Sequence, residues 1–240
     1  MHPDRGDPES QQLSKKLNVR RDARLRLVST APLKRRTRTL SKGDQREHEL
    51  IRCAERLLDE GTFHDASVAD IATAAGVSRP AFYFYFASKD ALLASVVETV
   101  HHDIAARLLA GLDRYGEPAQ QIAGAIHAGA DAWWEHRAAM SAAMQLAQRI
   151  PELGERMRMS MTDVNRRCTE ILLSHGGVPE SRSPARAARL VEMLALMNER
   201  VFSHQVPRAR TRRELRTTEE SLLAIWTRTL GLPQPDRPRR

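Results

Sequence analysis

The chain has 240 residues, enough to bury one large or two small cores, and 41% of them are hydrophobic, which suits a globular protein. Its formal net charge of +8 lies wholly in residues 1–46, which hold 13 Lys and Arg against 5 Asp and Glu, whereas residues 47–240 hold 25 of each. Two lone cysteines, Cys53 and Cys168, exclude a disulfide framework. No run of about 18 apolar residues could span a membrane, and the basic start lacks a signal peptide's apolar stretch, so a soluble cytoplasmic protein without a membrane partner is expected.

Residues 1–43 carry Pro, Gly, Ser and Arg with little helical periodicity beyond a possible helix near 13–28. They are expected to form a basic disordered arm. Such an arm tethers DNA through its phosphates by counterion release and without sequence preference, the alternative being a merely solvated tail. From Asp44 the pattern changes. Asp44 and Glu47 are spaced as a capping box, and Leu50, Ile51, Ala54, Leu57 and Leu58 form one face of an amphipathic helix that Gly61 stops.

Ser67 and Asp70 form a second capping box, followed by Val68, Ile71, Ala72 and Ala75 at i, i+3, i+4 and i+7. Gly76 supplies a turn, Val77 plugs the corner, and Ser78 caps another short helix whose first turn tolerates Pro80. Two short helices across a glycine turn make a helix-turn-helix. With the helix before it, the unit is a three-helix domain over 44–90 of the kind that reads the major groove. Phe82 to Phe86 are five of the chain's eleven aromatics. Five consecutive residues point all round a helix, so not all can be core. Phe82 and Phe86 share one side, while Tyr83 projects elsewhere with Arg79 one turn before it, a pairing suited to phosphates and base edges. The expected DNA-binding residues are Ser67, Val68, Ser78, Arg79, Pro80, Tyr83, Tyr85 and Lys89, the last reaching a phosphate.

Ser88 caps a long helix to Gly111 with the stripe Leu92, Leu93, Val96, Val97, Val100, Ile104 and Leu108, which must enter a second domain over 91–231. His101, His102 and Asp103 lie along it but face different directions, so no metal site is expected there. Five more helices are predicted at 118–136, 138–149, 152–175, 184–204 and 213–230, with Gly231 closing the last and a tail over 232–240. No segment alternates with period two, so the fold is predicted all-α. All three Trp and seven of the eight Met lie between Trp133 and Trp226. Met and Trp line adaptable apolar pockets, although composition alone favours ordinary core over a pocket. Asn198 shares a helix face with Leu194, Val201 and Phe202, which places an amide toward an apolar interior where it needs partners.

The run SVADIATAAGVSRPAFYFYFASKDALL resembles the N-terminal DNA-binding domain of the TetR family of bacterial transcriptional regulators, over about residues 46–100. Within that family, SRPAFYFYF together with LMNER at 196–200 and Trp226 is similar to the mycobacterial ethionamide-resistance repressor subgroup. The resemblance implies a repressor that binds a double-stranded operator as a homodimer paired through its last two helices, and that a hydrophobic small-molecule effector releases. Asn198 and Trp226 match effector-pocket positions of that subgroup, and Trp133 falls near another. Ala195 stands where the subgroup has a second pocket Asn. The expected ligand-binding residues are Trp133, Met157, Met159, Met161, Asn198, Phe202 and Trp226. Catalysis is not expected, because His127, Asp131 and His136 have no supporting carboxylate or thiol motif and no phosphate-binding glycine loop exists; neither a cofactor nor a metal is implied. A ligand-independent architectural DNA-binding protein is the alternative, for which the basic arm argues.

Overall fold

The computed structural model describes residues 42–232. The arm before Lys42, including the helix expected near 13–28, and the tail after Leu232 lie outside them. Among the described residues there are ten α-helices and no strand. They are α1 (Lys42–Asp59), α2 (Val68–Ala74), α3 (Arg79–Tyr85), α4 (Lys89–Asp113), α5 (Pro118–Glu135), α6 (Arg137–Arg149), α7 (Pro151–Ser160), α8 (Thr162–His175), α9 (Pro184–Gln205) and α10 (Arg216–Leu230). None is long and apolar enough to cross a membrane.

Helix α1 buries Leu50, Ile51, Ala54 and Leu58 as the amphipathic pattern requires. It begins at Lys42, so Asp44 is not the cap; it sits in the first turn, where a negative charge favours the positive end of the helix. The long helix α4 buries Leu92, Leu93, Val96, Val97, Val100 and Ile104. It packs against α1, α5, α6, α7 and α8, so it touches both the helix-turn-helix brace and the larger helical body. One continuous core runs from Leu50 through Phe82 and Ile104 to Trp226.

Three expectations are corrected. Gly111 does not stop α4, which continues to Asp113. A Cβ at Gly111 would lie 2.6 Å from the carbonyl oxygen of Gly124, and a Cβ at Gly124 would lie 2.5 Å from that of Gly111. The two glycines let α4 and α5 cross with their backbones in contact, a use of glycine that local sequence does not distinguish from a stop. The single helix expected over 152–175 is two, α7 and α8, broken at Met161. The last helix begins at Arg216, because a tighter 3₁₀ turn takes up Arg212–Leu215.

Candidate DNA interface and ligand cavity

The helix-turn-helix is closed by its own polar residues. The Ser67 hydroxyl accepts from the amide of Asp70 at 3.2 Å, and the Ser67 amide donates to the Asp70 carboxylate at 2.8 Å, which completes the capping box. These Ser67 hydrogen bonds hold the Asp70 carboxyl below its ordinary range. Ser78 caps α3 by accepting from the Ala81 amide at 3.3 Å. The turn between α2 and α3 depends on Gly76, whose φ of +68° is left-handed and open to glycine at no steric cost. Arg46 on α1 donates to the Gly76 carbonyl at 3.1 Å and so braces that turn from behind.

Phe82 and Phe86 are buried on one side of α3, as their spacing requires. The opposite side carries Tyr83 at 47% and Phe84 at 72% exposure, with Arg79 and Pro80 also exposed. The Arg79 guanidinium lies 5.9 Å from the centre of the Tyr83 ring. Ser67 and Ser78 are exposed and Val68 and Tyr85 half-buried at the edges of this face. Phe84 was not among the expected contacts, although five consecutive aromatics already required one to face water. Lys89 is largely committed elsewhere. Its Nζ donates to the carbonyls of His64 at 2.7 Å and Ala66 at 2.9 Å, which ties the start of α4 to the loop before α2 and leaves one N–H for a phosphate.

The second site is a cavity of about 950 Å³, mouth included, between α4, α5, α8, α9 and α10. Of the expected ligand residues, Trp133, Met161, Asn198, Phe202 and Trp226 line it, joined by an apolar wall that includes Ile104, Leu108, Ile122 and Ile126. The Trp133 and Phe202 rings lie 6.1 Å apart. The Trp226 indole donates to Asn198 Oδ1 at 3.0 Å, which orients the amide at the cavity wall. Met157 and Met159 are not part of the lining. Met157 is packed into the core and Met159 is 64% exposed, because residues two apart on a helix point to nearly opposite sides.

Apart from Asn198, the polar lining is not expected from the sequence. His101 is 4% exposed, lines the cavity from α4, and has no protein partner for either ring nitrogen among the described residues. Burial, aided by the neighbouring His102, pushes its pKa down to about 4, so the ring is neutral at pH 7. An unpaired buried polar group costs roughly 1–3 kcal/mol. Glu199 also lines the cavity, and burial raises its carboxyl pKa. Cys168 faces the same space as an inert thiol, its pKa pushed up to about 12 by burial.

Two other histidines, His127 and His136, contact carboxylates. His127 contacts Glu219 at 2.8 Å, and Arg212 contacts Asp131 at 2.6 Å and Glu219 at 2.5 Å, so the cluster ties α5 to α10. His136, at the end of α5, lies 2.7 Å from Glu55 of α1 and 3.0 Å from Asp103 of α4. It therefore joins the brace of the helix-turn-helix to the long helix. Hydrogen bonding to Glu55 is the main cause of a raised His136 pKa. A raised folded value means the charged ring stabilises the fold fully below the unfolded pKa of about 6.5 and loses that effect as pH rises through the folded value. His136→Gln is therefore expected to cost on the order of 1 kcal/mol at pH 6 and less at pH 9. Urea unfolding at both values checks this; an equal cost at the two would contradict it.

Residues 50–96, which span α2, α3 and the junctions around them, match the family model of bacterial regulatory proteins, tetR family. The HTH-type transcriptional regulator EthR of Mycolicibacterium smegmatis is 50% identical over 56 residues, which cover 23% of this chain and 26% of that protein. The chain thus matches about a quarter of the length of that curated relative. A solved transcriptional regulator from Rhodococcus sp. Rha1 shares the fold with a TM-score of 0.61 at 20% identity, over 78% of this chain and 98% of that one. The regulator RolR, solved in complex with resorcinol, shares it with a TM-score of 0.54 at 18% identity, over 80% and 91% of the two chains. A capped helix-turn-helix that matches the tetR family model over residues 50–96, set into an all-helical body, makes this chain similar to the TetR family regulators, and to EthR over the matched stretch.

Proposed function

We propose that this chain is a cytoplasmic transcriptional repressor that binds a double-stranded operator as a homodimer and leaves it when a mostly apolar small molecule occupies the cavity. The observation that carries the reading is the shared helix: α4 starts beside the recognition helix at Lys89 and presents His101, Ile104 and Leu108 to the cavity farther along. A ligand that favours one tilt of α4 changes how the recognition helices are spaced. RolR, of the same fold, is a precedent for a small molecule bound to such a body.

Pairing through the last two helices is supported by apolar side chains left in water there, Met193 at 56% and Leu196 at 49% exposure on α9 and Ile225 at 41% on α10. One short recognition helix reads few bases; a two-fold pair doubles them at sites about 34–36 Å apart. The basic arm adds sequence-independent phosphate contacts. The cavity favours this reading over a ligand-independent architectural binder, and the contacts of His127 with Glu219 and of Asp131 with Arg212 favour it over catalysis. Arg79 and Tyr83 contact the bases, flanked by Ser67, Val68, Ser78, Pro80, Phe84 and Tyr85. Tyr83→Ala is expected to weaken binding to a duplex selected from a random pool by on the order of 1 kcal/mol, roughly fivefold, with the helical spectrum unchanged. Wild-type affinity in that variant would contradict the assignment.

A further inference from the structure

We propose that His101 is a recognition residue of the cavity, and that the effector carries an alcoholic or phenolic hydroxyl that pairs with its imidazole; this rests on the cavity being the effector site. The ring is almost wholly buried, it lines the cavity together with Ile104, Leu108, Ile122 and Ile126, and neither nitrogen is satisfied by a protein group among the described residues. Native interiors pair their buried polar atoms, and those left open call for a specific explanation. Two of the three such atoms among the described residues, the third being an Arg212 nitrogen, are on this one side chain, and it borders the cavity.

The protonation state selects the chemistry. A neutral imidazole offers one donor and one acceptor, whichever tautomer is present. A hydroxyl also offers one of each and can satisfy either tautomer. A ketone or ether only accepts, as does an ionised carboxylate, and a methyl does neither. Asn198 differs from His101 in this respect, because its oxygen already accepts from Trp226. Since His101 belongs to α4, a ligand hydroxyl bound there pulls directly on the helix that reaches the DNA-binding end.

The test uses the full chain and two probes of matched shape, 4-hexylphenol and 4-hexyltoluene, with tryptophan fluorescence from Trp133 and Trp226 as readout. The quantity of interest is the ratio of the two dissociation constants, which removes the general gain from burying the alkyl chain. His101→Leu is expected to shift that ratio at least tenfold against the phenol, and His101→Gln, which keeps a donor and an acceptor, to restore part of it. An unchanged ratio in both variants, with both probes still binding, would overturn the role of His101 and leave the cavity reading intact. Failure of both probes to bind the wild type would overturn the cavity reading and this inference with it. Should the leucine variant not fold, nuclear magnetic resonance of the wild type decides: the His101 ring signals must move with the phenol and not with the toluene, and no difference between probes overturns the proposal.

Discussion

Gly124→Ala is expected to destabilise the chain by about 2 kcal/mol, while Gly154→Ala is expected to stabilise it by up to about 1 kcal/mol. Both residues sit inside helices, α5 and α7, and alanine is the better helix former by roughly 1 kcal/mol at either site. Space decides the sign. A Cβ at Gly154 meets nothing within 4 Å, whereas one at Gly124 would sit 2.5 Å from the carbonyl oxygen of Gly111. Backbone cannot swing aside as a side chain does, so α4 and α5 must part. Overpacking of a close interface costs about 1–3 kcal/mol, which outweighs the gain in propensity. The consequence reaches the cavity, since α4 supplies His101, Ile104 and Leu108 and α5 supplies Ile122, Ile126 and Trp133 to its walls. Parallel urea titrations of the two variants check the pair of signs; stabilisation by Gly124→Ala would show that the helices do not cross as described.

The features that local chemistry specifies were legible in the sequence. Ser67 and Asp70 form their capping box, Ser78 caps α3, Gly76 takes the left-handed turn, and Phe82 and Phe86 pack inward, because each depends on residues within one or two turns. The misjudged features depend on distant partners. Gly111 was taken for a stop because the glycine that explains it, Gly124, lies on the next helix. His136 finds Glu55 some 81 positions away, and Lys89 finds carbonyls 23 and 25 positions away, so neither commitment shows in a helical pattern. Residue type alone groups Met157 and Met159 with Met161, but Met157 and Met159 stand two apart on α7 and point to nearly opposite sides, and Met161 sits at the break after that helix. His101 was weighed only as a metal ligand beside His102; its isolation in an apolar cavity follows from helices that arrive from the rest of the chain.

The largest functional effect is expected from occupancy of the cavity. If α4 transmits occupancy as proposed, a ligand acts only by its differential affinity for two arrangements of that helix, and couplings of this kind amount to about 1–3 kcal/mol, or roughly 5–150-fold in DNA affinity. The ends of the lever are fixed: Lys89 ties one to the loop before α2, and the glycine crossing holds the other against α5, about 33 Å along the helix. His136 and Arg107 add charged contacts from α4 to α1 and α5 between those ends. A change of tilt at the cavity therefore reaches the helix-turn-helix through packed backbone, and no separate hinge is required.

The most direct measurement is the anisotropy of a labelled, selected duplex titrated with the full chain, with and without saturating 4-hexylphenol, alongside the fluorescence affinity of the phenol with and without saturating duplex. The account predicts that the phenol weakens duplex binding 5–150-fold and that the duplex weakens phenol binding by the same factor, as linkage between two sites demands. Phenol binding that leaves the duplex affinity unchanged would contradict it.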